Sequence, residues 1–140
     1  MENMEKSKLA IFLTFSGQAE EAMQFYASRL PDAKITTLVR YGKNHPFAGD
    51  GDENKILHGA VSFMGQEIMF LDMDAAHPAP NFSWASSIYV NCQSEEEFDA
   101  VFAGLAKSGT VMMGPESVGH IRKCAWVTDK FGVTWQPVWE

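Results

Sequence analysis

The chain has 140 residues, a length that fits one domain. Hydrophobic residues make up 46% and charged residues 21%, enough for a buried core and unlike a disordered chain. The net charge of −7 argues against nucleic acid and against an anionic membrane surface, both of which call for clustered Lys and Arg. The apolar runs are too short to span a bilayer. The acidic and basic residues of Met1–Lys8 do not form the basic start of a secretory signal. Two cysteines, Cys92 and Cys124, make no paired motif. The expectation is a reduced cytoplasmic protein.

Leu9–Phe15 reads as a buried strand. Ser16-Gly17 breaks it and is placed to cap a helix, with Glu20 and Glu21 favourable in the first turn. Ala19, Ala22, Met23, Tyr26 and Leu30 recur at helical spacing, and Pro31-Asp32 ends that run. Lys34–Tyr41 is rich in β-branched residues and reads as a strand. Gly42–Asn54 is a long polar loop. Leu57–Phe63 and Glu67–Asp72 form a hairpin about Met64-Gly65.

Asp74–Ser83, with Pro78 and Pro80, reads as a connection. Trp84–Asn91 is the next strand. Ser94-Glu95-Glu96-Glu97 is a capping box in front of the stripe Phe98, Val101, Phe102 and Leu105, and Gly109 suits the position after the helix. Thr110–Met113, Cys124–Thr128 and Val133–Val138 complete the strands.

The two halves say the same thing. Gln18-Ala-Glu-Glu-Ala and Gln93-Ser-Glu-Glu-Glu each follow a strand and open a helix, and Gly65 has a counterpart in Gly132. The turn glycines lie closer together than the helix starts, so the first copy holds an insertion. Gly42–Asn54 is the candidate. Two copies of βαβββ give an α+β fold.

Several motifs fail on inspection. Asp50-Gly51-Asp52-Glu53-Asn54 begins like a calcium loop, but Lys55 stands where the glycine belongs and Val61 where the glutamate belongs. Ser117 has Pro115 two places before it, so it is not a nucleophile elbow. His120 and Cys124 are spaced i, i+4 ahead of a strand, a poor basis for a cysteine nucleophile. No dinucleotide or nucleoside triphosphate loop occurs. Of the four histidines, His45, His77 and His120 fall in loops and His58 on a strand. The tryptophans, Trp84, Trp126, Trp135 and Trp139, all lie in the second half and read mostly as core.

Phe25-Tyr26-Ala27-Ser28, Pro31-Asp32-Ala33-Lys34-Ile35, Arg40-Tyr41-Gly42, His58-Gly59-Ala60, Val90-Asn91-Cys92 and the run Trp126–Gln136 resemble the PhnB-like proteins. That family carries the label 3-demethylubiquinone-9 3-methyltransferase. It belongs to the vicinal oxygen chelate superfamily, with glyoxalase I, bleomycin-resistance proteins and extradiol dioxygenases. The resemblance runs from about Leu9 to Val138. It implies a single glyoxalase-like domain over 1–140, with module one about 8–73, a connection at 74–83 and module two about 84–139. It also implies that the curved half-sheets enclose a cup, and that the chain is a homodimer.

In the metal-dependent members, four ligands come from the opening and closing strands of the two modules. Here those positions fall near Ile11, Ala85, Met69 and Gln136, and none is His, Asp or Glu. The expectation is therefore no metal and no cofactor. The glycine-rich turn of a typical S-adenosylmethionine site is absent too, which leaves the methyltransferase label unsupported.

If Gln136 faces the cup, strand alternation brings Thr134 and Val138 with it and sends Trp135 toward the helices. The same parity brings Ser87 and Tyr89, and in the first module Glu67 and Leu71. The candidate ligand-binding residues are thus Tyr89, Gln136, Glu67, Ser87 and Thr134. One function is a metal-independent protein that binds an apolar or aromatic small molecule. Another is an isomerase or lyase with Glu67 or His58 as general base. A third is a domain whose partner is another protein. Nucleic acid and membrane are not expected as partners.

Overall fold

Alternation of apolar side chains makes Ile11–Phe15 (β1) a strand, with Leu13 and Phe15 buried. A computed structural model describes residues 9–140. The chain separates into two compact units, one made of the residues up to Ser28 with Asp32–Ala79, the other of Arg29–Pro31 with Pro80–Glu140.

Ala19–Arg29 (α1), which belongs to the first unit up to Ser28, buries Ala19, Ala22, Met23, Phe25 and Tyr26. The helix stops before Pro31, and Asp32 turns the chain with φ 59°. Lys34–Arg40 (β2), Ile56–Phe63 (β3) and Gln66–Asp72 (β4) follow. Met64 and Gly65, with φ of 53° and 75°, make the tight turn between β3 and β4. The sheet order is β1-β4-β3-β2, with β1 parallel to β4. Phe15 stacks on Phe70 at 5.9 Å, and Tyr26 tilts onto the same ring at 6.0 Å. Gly59 leaves room for Met23, whose Sδ would lie 2.5 Å from an added Cβ.

The second unit repeats the plan. It contains Ile88–Cys92 (β5), Glu95–Ala106 (α2), Thr110–Val118 (β6), Ile121–Thr128 (β7) and Thr134–Trp139 (β8). Its order is β5-β8-β7-β6, the first unit's order over again, with β5 parallel to β8. The expected α+β fold of two βαβββ modules is thus the observed one. The insertion also lies where the sequence puts it: positions 41–55 join β2 to β3, whereas Gly119 and His120 join β6 to β7.

Several local expectations are corrected. β5 starts at Ile88, not Trp84, and Trp84 is 64% exposed rather than core. Trp126 and Trp139 are half-buried, and only Trp135 is fully enclosed among the four. β6 does not stop at Met113 but runs on through Gly114-Pro115 to Val118. A proline is tolerated there because β6 is an edge strand, with register shifts around Met113 and Glu116.

The capping box forms with an altered reach. Ser94 Oγ accepts from the Glu97 N–H at 3.1 Å, but Glu97 Oε1 accepts from Gln93 rather than from Ser94. After α2, the left-handed residue is Ser108 at φ 62°, not Gly109. Gly109 serves close approach instead: an added Cβ would lie 2.5 Å from the Thr128 carbonyl oxygen. The capping expected of Ser16-Gly17 is done by Asp72, while Ser16 Oγ accepts from the Ala79 N–H at 2.7 Å. The calcium-like run is closed on itself. Asp52 is buried, with one oxygen on the Gly49 N–H at 2.9 Å and the other on Lys55 Nζ at 2.8 Å.

Candidate functional site

The two faces of the second sheet are told apart by Lys123. Its Nζ pairs with Glu95 at 2.8 Å and Asp99 at 2.9 Å, both on α2, so its side chain lies on the helix face. Alternation along β7, together with the pairing of Lys123 with Trp139 and of Val127 with Trp135, places Ala125, Val127, Trp135 and Trp139 on that face. Trp135 Nε1 donates to the buried carboxylate of Asp129 at 2.9 Å. Trp135 therefore lies toward the helix, as strand alternation from Gln136 predicts.

Cys124, Trp126, Thr134, Gln136 and Val138 take the opposite, open face. Tyr89 pairs with Gln136 across the parallel β5–β8 ladder and shares it. The pairs Cys124–Val138 and Val127–Trp135 set Trp126 opposite Gln136, and Met113 pairs with Trp126. Tyr89, Gln136, Trp126 and Met113 thus form one row across all four strands. Tyr89 is 58% exposed, while the other three are half-buried. Gln136 Nε2 donates to Ser87 Oγ at 2.5 Å, which holds the amide in one orientation beside the tyrosine ring.

Of the sequence candidates, Tyr89, Gln136 and Ser87 come together here. Thr134 shares the face but is buried, and its hydroxyl lies 2.9 Å from that of Thr128. Thr128 in turn donates to Met112 Sδ at 2.9 Å, so its single proton is spent there and Thr134 is the donor of the threonine pair. Glu67 belongs to the first unit. It pairs with Ser62, and Met69 pairs with both Ala60 and Phe12. These residues share the open face of the first sheet, where Phe12 is 50% exposed. His58 is on the same face, paired with Val39. It stands four residues from Ser62 along β3, roughly 13 Å from the Glu67 position at the strand rise. The two candidate bases do not form a pair.

Trp126 and Met113 were not foreseen at the site. Counting back from the turn at Gly132 along antiparallel strands would have placed Trp126 opposite Gln136. The opening-strand positions near Ile11 and Ala85 also shift, since the residue that pairs with Met69 is Phe12. Ala85 precedes β5, and the residue that pairs with Gln136 is Tyr89.

The remaining reactive groups stand apart. His120 is exposed and 3.3 Å from Glu140, while the buried Cys124 Sγ lies 3.5 Å from the Glu116 carbonyl oxygen. Burial and then the Glu116 charge push the Cys124 thiol up, the reverse of nucleophile activation. Among the described residues no group of three or more His, Cys, Asp or Glu is placed to hold a metal ion. Neither Tyr89–Gln136 in the second unit, a phenol and an amide, nor Phe12–Met69 in the first, a benzene ring and a thioether, supplies the His or carboxylate ligands that the metal of the chelate superfamily calls for.

Two βαβββ units of identical strand order define a glyoxalase-like fold. A glyoxalase/bleomycin resistance protein from Albidiferax ferrireducens T118 shares it, at 18% identity and a TM-score of 0.61, over 96% of this chain and 99% of that one. The family model for 3-demethylubiquinone-9 3-methyltransferase matches residues 7–138, and the chain belongs to that PhnB-like family. A PhnB protein from Bacillus cereus is 39% identical with a TM-score of 0.81, covering 96% of this chain and all of that one. Protein YjdN of Escherichia coli (strain K12) is 28% identical over 138 residues, 91% of each chain. No helix among the described residues is long and apolar enough to cross a membrane.

Proposed function

We propose that this chain is a metal-independent, cytoplasmic small-molecule-binding protein that takes an apolar or aromatic ligand on the open face of the second sheet. Tyr89 and Gln136 orient the ligand, and Ser87 fixes the amide. The observation that carries this reading is the Gln136–Ser87 hydrogen bond beside the exposed Tyr89 ring. A few oriented polar groups among aromatic and apolar side chains are the usual composition of a small-ligand site. An isomerase or lyase built on Glu67 or His58 has less support, because each stands without the other and a general base works best with an oriented partner. The methyltransferase description of the family is not carried over. Neither β1–α1 nor β5–α2 has a glycine-rich turn, since Ser16-Gly17-Gln18 and Gln93-Ser94 make those junctions.

We also propose a homodimer. The edge strands β2 and β6 expose Ile35, Leu38 and Val39, and Val111, Met112 and Val118, and open edges of that kind call for cover.

Native mass spectrometry of freshly purified protein tests the reading. A dimer that carries a small organic molecule is the expected result. One equivalent of zinc, iron, nickel or manganese per chain would contradict metal independence, and a monomer at micromolar concentration would contradict the dimer.

A further inference from the structure

Resting on the ligand-binding reading, we propose that Gln136 reads the edge of a planar, uncharged heterocycle that carries a hydrogen-bond donor next to an acceptor. The lactam N–H/C=O edge is the simplest case. A carboxamide has two N–H donors and one acceptor oxygen in one plane. One N–H of Gln136 is committed to Ser87 Oγ. The other N–H and Oε1 have no partner among the described residues, so the amide keeps one donor and one acceptor free in one plane, with the Ser87 hydroxyl beside them. The Ser87 oxygen accepts from Gln136, which leaves its own O–H as a further donor at the same edge. Paired donor–acceptor recognition by a glutamine amide is the geometry by which this side chain reads the edge of adenine.

The flanking residues select for a flat ring. Tyr89 lies one strand to one side of Gln136 and Trp126 one strand to the other, with Met113 beyond it. Aromatic faces stack on planar heterocycles, and a thioether adapts to their rims. The row also selects for neutrality. Tyr89, Gln136, Trp126 and Met113 include no cation to meet a carboxylate, and the chain's net charge of −7 repels anions. The corresponding row of the first unit, Phe12, Met69, Ala60 and Thr37, has no amide, so the edge-reading group belongs to the second unit alone.

The test is an NMR titration of the full chain with four probes: 2-pyridone, N-methyl-2-pyridone, uracil and anisole. N-methyl-2-pyridone keeps the ring and the carbonyl but lacks the N–H. The expected result is that 2-pyridone moves the Tyr89, Trp126 and Gln136 signals and binds about 5-fold tighter than its N-methyl analogue, one hydrogen bond's worth. That preference should vanish in Gln136→Leu and shrink in Ser87→Ala, whose exposed site leaves the fold intact. Uracil binding tighter than 2-pyridone would point to a free nucleobase, and the reverse order to another lactam; both support the proposal. If all four probes shift the same signals with equal affinity, the edge-reading proposal is overturned while the binding reading stands. If no probe moves those signals, both fail.

Discussion

The carboxylate of Asp72, at the end of β4, accepts a hydrogen bond from the backbone N–H of Gly17 at 2.8 Å across 55 residues of sequence. The same oxygen takes the Ala19 N–H at 3.0 Å, and the second oxygen takes the Ile56 N–H at 2.9 Å. A strand residue thus caps α1 from outside the helix and ties it to the start of β3. Asp72→Ala leaves these donors without a partner in a largely buried place. The expected loss is about 3 kcal/mol of unfolding free energy. Urea denaturation measures it, and a loss below about 1 kcal/mol would contradict this role for Asp72.

Two glycines separate close approach to backbone from close approach to side chain. Gly109→Ala would bring a Cβ 2.5 Å from the Thr128 carbonyl oxygen, with Leu105 and Asp129 backbone also close. Gly59→Ala would meet Met23, an unbranched side chain that is able to change rotamer. Gly109→Ala should therefore destabilise more, by about 1–3 kcal/mol over the second variant. Thermal unfolding of the pair gives the order, and equal melting temperatures would contradict it.

Cys92 is buried, and desolvation, followed by the Glu97 charge, pushes its thiol up to about 11. Burial raises Cys124 as well. Both thiols are buried, so both should react with a disulfide reagent only after denaturation. Rapid labelling of the native protein would show that one thiol is open to solvent.

Glu20 and Arg40 form a two-pronged pair, at 2.7 and 2.9 Å, between α1 and β2. The Arg40 hydrogen bonds hold the Glu20 carboxyl below its usual value. A depressed carboxylate contributes stability above the unfolded-state pKa and loses it as pH falls through the folded-state pKa. The pair is partly open to solvent, which screens it, so the effect is small. In Arg40→Ala, carbon-detected titration should find Glu20 moved back up, and an unchanged titration would rule out the pair in solution.

Much of the fold was legible because it rests on local signals. The capping serine Ser94, the helix stop at Pro31, and the turn glycines Gly65 and Gly132 mark element ends by their own chemistry. What misled was chain whose state depends on distant partners. The Trp84–Ser87 segment is apolar enough to read as strand yet precedes the β5–β8 ladder. Gly114-Pro115 lies beyond the strand end expected at Met113 but sits inside the edge strand β6. Asp72, which caps α1, carries no sequence mark of that role because its partners lie in other elements. For the site, alternation within each strand, joined by the superfamily's ligand positions at Ala85 and Gln136, put Tyr89, Ser87 and Gln136 on one face. Trp126 needed the antiparallel register about the 129–133 turn, and the engagement of Thr134 by Thr128 needed side-chain positions.

Binding at the Tyr89–Gln136 face is tested most directly by titrating phenol into the wild type and Gln136→Leu while following the Tyr89 and Trp126 NMR signals. Phenol supplies a ring and one hydroxyl, the least that the face should hold. Phenol should move both signals to saturation in the wild type. In Gln136→Leu it should bind about 5-fold more weakly, with the melting temperature within a few degrees of the wild type, since the change removes one hydrogen bond and leaves no buried partner unpaired. Saturation with equal affinity in both proteins, or no movement of either signal, would contradict the assignment.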